Sequence, residues 1–165
     1  SIWDSKNTVA WDSSIEGAKE INSLCVANPD VYYFSITNYK TKIDEDSGYH
    51  NPMKGMSIIL KVQARLMGRK KAYYSDGTST DSTWYLNDGV VNTVSMLGPT
   101  TGSSGTDPIT EFRQGDLVIP GQWYVMGNYE FDHSALIGHQ MRKDEYPSLK
   151  KIYSDQLRIL WSLPN

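Results

Sequence analysis

The run Val31–Thr37 is the feature that most constrains the fold, because it consists of β-branched and aromatic residues with almost no polar gaps. Such a run predicts a strand that is buried on both faces, as in a parallel sheet. Apolar residues recur at helical spacing over residues 15–25, with Asp12 or Ser13 as the expected N-cap. Pro29 ends that helix. Helix, short turn and buried strand together predict an α/β fold.

The rest of the chain predicts few further elements. Residues 56–67 suit a strand or a helix, and both interpretations stay open. Residues 97–121 are rich in Gly, Ser, Thr and Pro and predict a long surface loop, followed by a strand over residues 123–126. Ser154 is expected to cap a last helix. Three large apolar residues share one face of that helix: Leu157, Leu160 and Trp161.

These elements make a thin sheet with few amphipathic helices to cover it. Two interpretations follow. The chain is either a small α/β domain with strands that the pattern hides, or part of a fold that another segment completes. No internal repeat or domain boundary is visible in the sequence.

Composition excludes several classes of protein. The 165 residues carry a net charge of −3, whereas nucleic-acid binders usually show a basic excess. No apolar run approaches the roughly 20 residues that cross a bilayer. Cys25 is the single cysteine, so no internal disulfide can form. The start Ser1-Ile2-Trp3-Asp4 has no initiator Met and no signal peptide, which indicates a mature, trimmed or cut chain.

Several blocks of the sequence resemble the bacterial true lipases of Geobacillus and Staphylococcus. The longest is Trp84–Met96, which reads WYLNDGVVNTVSM, and Gly98-Pro99 follows it. Met126–His133 is similar to the segment that carries the catalytic histidine in that family. Three further blocks match in the same order: residues 11–18, 29–35 and 159–163. The resemblance therefore covers nearly the whole chain.

The resemblance implies that residues 1–165 are the C-terminal part of a single α/β-hydrolase domain, whose sheet is incomplete without an upstream segment. Asp88 and His133 then correspond to the acid and the base of a Ser-Asp-His triad. In this fold the serine precedes both in the chain, in a Gly-x-Ser-x-Gly elbow. The 165 residues contain no such pattern, and Thr101–Gly105 is a near miss with its glycines one residue too close.

Both residue types suit the chemistry of a serine nucleophile. A serine hydroxyl needs a base to remove its proton, and neutral imidazole serves near pH 7. A buried carboxylate fixes the tautomer of that imidazole. Taken alone, Asp88 suits an ordinary turn residue and His133 an ordinary histidine. Three other titratable residues are not expected in the triad: Asp132 as a loop acid, and His50 and His139 as surface histidines.

The resemblance also bears on metals. Asp12 falls where the family has an aspartate ligand to zinc, although it serves equally well as a helix cap. A structural zinc site needs about four ligands, so an absent segment would have to complete it. Gly55 is similar to a glycine that binds calcium through its carbonyl. Ala135 and Gln140 occupy the acidic positions of that site. Because calcium prefers carboxylates among its ligands, we expect its site to be lost.

Three functions follow as hypotheses. The first is a carboxylic ester hydrolase of lipase type, whose serine comes from an N-terminal segment or partner chain; the family implies secretion and a lipid substrate. The second is a non-catalytic binding or structural module derived from a hydrolase. The third is a carbohydrate-binding β-domain, which the five Trp and eleven Tyr residues would suit.

Overall fold

The computed structural model describes residues 5–99 and 109–164, which form a mixed α/β structure. The strands in these ranges are β1 (Tyr33–Asn38), β2 (Thr41–Ile43), β3 (His50–Pro52), β4 (Ile109–Glu111) and β5 (Trp123–Tyr129). The helices there are α1 (Val9–Asp12), α2 (Ile15–Leu24), α3 (Lys61–Met67) and α4 (Tyr146–Ser162). Short 3₁₀ turns cover Ser82–Tyr85, Thr93–Met96 and Ala135–Ile137.

A small parallel sheet with the strand order β1-β5-β4 organises the molecule. β5 lies in the middle and runs parallel to both neighbours. The pairing of β1 with β5 runs from Tyr33 beside Trp123 to Asn38 beside Tyr129, with an irregularity between Ser35 and Thr37. The carboxyl ends of β1 and β5 therefore lie side by side. β2 and β3 form a separate antiparallel hairpin just beyond the end of β1.

The predicted first helix is confirmed as α2, but its cap is neither Asp12 nor Ser13. Ser14 is the N-cap, and its Oγ accepts a hydrogen bond of 3.0 Å from the backbone N–H of Gly17. The predicted caps are wrong because residues 9–12 form the separate turn α1, in which Ser13 is the C-cap. The helical period therefore begins three residues after Asp12.

Three other elements differ from the sequence-based expectation. The ambiguous residues 56–67 form a helix only over α3, and β4 lies inside the segment expected to be a loop. β4 exists because β5 supplies its backbone partners. The last helix begins at Tyr146 instead of at Ser154. Ser154 lies within α4, where its hydroxyl donates to the carbonyl of Lys150 at 2.8 Å.

The apolar core lies at the carboxyl end of the sheet. Its buried members come from the segment after β5 and from the first half of α4: Phe131, Ala135, Leu149 and Ile152. Residues 33–36 of β1 are only half-buried, so the expectation that the whole strand is buried on both faces is wrong for the described residues. The three apolar residues at the end of α4 are exposed, and Trp161 is 93% accessible. None of the helices in the described ranges has the length and apolar character to span a membrane.

A buried lysine connects the end of β1 to α4. The Lys40 side chain is 3% exposed, and its Nζ lies 2.9 Å from Oε1 of Glu145 and 3.1 Å from Oε1 of Glu130. Burial of the ammonium group lowers the pKa of Lys40, but the hydrogen bonds and charges of the two glutamates outweigh this, so its pKa is raised overall. The ion pair thus fixes the start of α4 against the carboxyl end of the sheet.

We expect Lys40→Met to lower the free energy of unfolding by about 3–5 kcal/mol, because it leaves the largely buried Glu145 carboxylate without its partner. The double variant Lys40→Met with Glu145→Leu should recover much of that loss, since apolar side chains can replace a buried ion pair. Urea unfolding of the three proteins measures both effects. A double variant no more stable than the single one would contradict this account.

His50 makes the stability depend on pH. Burial lowers its pKa, and its Nδ1 is shielded from solvent without a hydrogen-bond partner in the described residues, so His50 is half-buried and not the surface histidine expected. The pKa of His50 is about 6.5 in the unfolded chain and lower in the folded chain. The unfolded chain therefore binds more protons at low pH, and stability should fall as the pH drops below about 6.5. His50→Gln should reduce the loss seen by thermal unfolding between about pH 7.5 and pH 5. His139→Gln, at an exposed site, is the control and should not.

Candidate active site

The site lies where β1 and β5 end next to each other. Asp88 is in a loop that returns to the end of β1, where the backbone N–H of Lys40 donates to the carbonyl of Asn87 at 2.9 Å. His133 follows β5 by four residues. In open α/β sheets, ligands bind beyond the carboxyl ends of the strands. Because β1 and β5 end side by side, the topology brings together two residues that are 45 positions apart in the chain.

Asp88 is fixed by a tight turn. Its Oδ1 accepts hydrogen bonds from the backbone N–H groups of Val90 at 2.8 Å and Val91 at 2.7 Å. Gly89 has φ +102°, and a side-chain carbon there would lie 2.8 Å from Cβ of Leu60, so both the backbone and the close packing require glycine. The Asp88 carboxylate is consequently 2% exposed and held in one orientation.

Asn87 anchors that turn to the rest of the fold. It is fully buried, and its Nδ2 donates to the carbonyls of Ala64 at 3.1 Å and Tyr85 at 2.9 Å. Its backbone N–H donates to the hydroxyl of Thr41 at 3.0 Å. The sequence indicates Asn87 as a turn residue, whereas the structure uses its side chain to join α3 to the turn.

The His133 imidazole contacts the Asp88 carboxylate. Nδ1 lies 2.9 Å from Oδ2 of Asp88, and the backbone N–H of His133 donates to the Asp88 carbonyl at 3.1 Å. Since a carboxylate only accepts, this contact requires the proton of neutral His133 on Nδ1. Nε2 then has a free lone pair, and the side chain is 48% exposed. The pair can accept a proton from a group that approaches that nitrogen.

Asn38, the last residue of β1, is a third member of the site that the sequence analysis missed. Its Nδ2 donates to Oδ2 of Asp88 at 3.3 Å and to the carbonyl of Phe131 at 3.2 Å. It is 3% exposed. A polar residue at the end of a predicted parallel strand is the signal that could have found it. Together with Val90 and Val91, Asn38 gives the buried carboxylate the N–H donors that offset its loss of water.

The structure does not bring Asp12 into the site. Asp12 is exposed at the end of α1. The described residues contain no group of three or more His, Cys, Asp or Glu side chains that could hold a metal ion. A zinc site that includes Asp12 stays a prediction that depends on other ligands.

The surroundings of Gly55 do not fit calcium. A side-chain carbon on Gly55 would lie 2.5 Å from Nη1 of Arg142, so a cationic guanidinium group already packs against this glycine. Ala135 offers no oxygen from its side chain, and the side-chain oxygen of Gln140 accepts a hydrogen bond from Ser57. The loss of the calcium site stays a prediction.

The other residues considered from the sequence do not contact the Asp88–His133 pair through their side chains in the described residues. The Asp132 carboxylate accepts from the backbone N–H groups of Ser57, Ser134 and Ala135, whereas the imidazole contacts Asp88. His139 is exposed. The near-miss segment Thr101–Gly105, with Ser103 and Ser104, is outside the described residues.

A buried carboxylate thus contacts a half-exposed histidine beyond the carboxyl ends of two adjacent parallel strands. A family model described as "Lipase-like, C-terminal domain" matches residues 1–156. The chain therefore belongs to the family of lipase-like C-terminal domains, and the family resemblance found in the sequence is confirmed.

Relatives and solved structures agree with this family. The lipase of Staphylococcus hyicus is 27% identical over 151 residues, which are 90% of this chain and 21% of that lipase. EstA from Clostridium botulinum has a similar structure, with a TM-score of 0.75 and 37% identity over 88% of this chain and 34% of that chain. The crystal structure of the S. hyicus lipase has a TM-score of 0.70 at 24% identity, covering 98% of this chain and 40% of that one, and so shows the fold alone. The chain spans about a fifth of the length of its first curated relative.

We expect Asn87→Ala to lower the free energy of unfolding by about 2–4 kcal/mol, because the turn loses its anchor: the carbonyl of Tyr85 loses its side-chain donor, and the carbonyl of Ala64 keeps only the N–H of Gly68. Asn128→Ala, on an exposed position of β5, is the matched control and should change stability by less than about 0.5 kcal/mol. Urea unfolding distinguishes the two. Equal small effects would mean that the turn does not depend on Asn87.

Proposed function

We propose that this chain is the acid- and base-bearing part of a lipase-type serine hydrolase that cleaves carboxylic esters of lipids. The observation that carries the proposal is the 2.9 Å contact between Nδ1 of His133 and Oδ2 of Asp88, with the imidazole half-exposed. Lipase relatives and the family match support the class of reaction. Secretion belongs to the same proposal, from the family resemblance.

The chemistry divides between the two residues. His133 Nε2 takes the proton of a serine hydroxyl as its oxygen attacks the ester carbonyl, and then gives that proton to the departing alcohol. Water, activated by the same nitrogen, releases the acid from the acyl-enzyme. Asp88 keeps the proton of His133 on Nδ1 and stabilises the imidazolium that forms in each step. Asn38 helps to fix the acid.

The serine is proposed to come from a segment or partner chain outside these 165 residues. The chain order of the fold places the nucleophile before the acid, and the sequence has no Gly-x-Ser-x-Gly. The chain also spans only 34% and 40% of the solved structures that it resembles. A cavity of about 460 Å³ between α4 and the sheet is not lined by Asp88 or His133. From the family resemblance, we propose that most of the acyl pocket also lies in that other segment.

A fluorophosphonate probe tests the proposal on the protein isolated from the cells that make it. The probe should label a serine in a Gly-x-Ser-x-Gly segment outside residues 1–165, and mass spectrometry of the labelled peptide identifies it. Ester hydrolysis by the active assembly should fall about 10⁴-fold in Asp88→Asn, because the amide favours the wrong tautomer of the imidazole. His133→Gln should be at least as inactive.

Matched variants serve as controls. Asp30→Asn and His139→Gln change exposed residues of the same types and should leave the rate unchanged. Labelling of a serine within these 165 residues would overturn the proposed origin of the nucleophile. An assembly without ester turnover would favour the second candidate, a non-catalytic module derived from a hydrolase. Retention of the Asp88–His133 contact is the observation that favours catalysis over that alternative.

A further inference from the structure

The Asp132 carboxylate joins two segments that are 75 positions apart in the chain. Its Oδ2 accepts from the backbone N–H of Ser57 at 2.8 Å. Its Oδ1 accepts from the backbone N–H groups of Ser134 at 3.2 Å and Ala135 at 3.0 Å. Asp132 is 5% exposed, and the proposed reaction makes no use of it. A buried carboxylate is costly unless donors replace its water, so these three bonds indicate a definite role.

Two further contacts connect the same segments. The hydroxyl of Ser57 donates to Oε1 of Gln140 at 3.0 Å. Gln140 is the non-glycine residue with positive φ, at 53°, in the described ranges. Nearby, the guanidinium group of Arg142 packs against the bare backbone of Gly55, which has φ +91°. We call this set of contacts between residues 55–57 and residues 132–142 the clasp.

The clasp holds the chain neighbours of His133, whereas Asp88 holds His133 itself. Asp88 contacts the ring nitrogen and the backbone N–H of His133. Asp132 fixes the peptide before His133 and the two residues after it. With His133 and its chain neighbours held, the imidazole stays directed at Asp88 although its side chain is half-exposed.

We propose that Asp132 is a positioning residue, which directs the imidazole of His133 at Asp88 by holding the histidine loop to the backbone of Ser57. The proposal rests on the proposed function, since the orientation of the imidazole matters for catalysis only if His133 is the base. It separates the roles of two buried acids. Asp88 acts on the ring, and Asp132 acts on the backbone that carries it.

The geometry explains why the residue is an aspartate. Three N–H groups converge on it from two directions, and a carboxylate presents two oxygens that only accept. An asparagine would place its NH₂ group against an N–H on one of the two sides. Asp132→Asn therefore keeps the shape of the side chain and disrupts the clasp.

The test measures the tautomer of His133 in the active assembly by ¹⁵N NMR, through the carbon-bound protons of the ring, at about pH 8, where an ordinary histidine is neutral. We expect Nδ1–H to be the dominant form in the wild type. In Asp132→Asn that dominance should be lost, because a ring without its fixed contact to Asp88 reverts to the Nε2–H form that free histidine favours. In the active assembly, kcat should fall about 10²-fold with KM unchanged, as for a misplaced catalytic group.

Asp116→Asn is the matched control, since Asp116 also accepts a backbone N–H, from Arg113 at 2.7 Å, but lies in an exposed loop. It should leave the tautomer unchanged. Asp132→Ser is a second variant that can still cap the turn at residues 134–135 but is too short to reach Ser57. It should behave like Asp132→Asn.

Each outcome decides between the proposals. An unchanged Nδ1–H form in folded Asp132→Asn overturns the positioning role and leaves the proposed function intact. If the wild type itself lacks the Nδ1–H form, the Asp88–His133 pair fails, and the proposed function fails with it. If neither Asp132 variant unfolds cooperatively, Asp132 is a structural residue and the positioning role is rejected.

Discussion

The contact between Asp88 and His133 is the interaction around which this part of the molecule is built. It places a buried carboxylate next to a half-exposed ring, and a buried charge is tolerated only where donors surround it. Two backbone N–H groups and the Asn38 amide supply those donors. The contact exists because β1 and β5 run parallel and end side by side, so that the segments that follow them share one edge of the sheet.

The buried polar residues are concentrated at this edge. Most of the buried polar residues come from the end of β1 and the turn of Asp88: Thr37, Asn38, Lys40, Thr41, Asn87 and Asp88. The opposite end of the structure is different, because the first residues of β1 are half-buried and the end of α4 exposes Trp161. This distribution, and a chain that covers 34% of the length of EstA, support the proposal that another segment completes the sheet.

The parts of the fold that the sequence predicts well depend on local patterns. The helical period of α2, the β-branched and aromatic run of β1 and the strand that begins at Trp123 were each expected within a few residues. Elements that depend on distant partners were missed. β4 has three residues and no pattern of its own, and it forms only because β5 lies beside it. The cap of α2 was misplaced because three neighbouring residues, from Asp12 to Ser14, can all act as caps.

For the site, the sequence by itself determined which residue types are available and in what order: an acid in an Asn-Asp-Gly turn and a histidine after a later strand, with a family resemblance that implies a role for both. The tertiary structure decided that they touch, and it selected Asn38, Asn87 and Asp132 as the side chains that hold them. Residue types and order are written along the chain, whereas hydrogen bonds between residues 45 to 93 positions apart depend on how parallel strands bring those segments together. Helix and strand propensities depend on neighbouring residues and do not predict contacts at such separations in the chain.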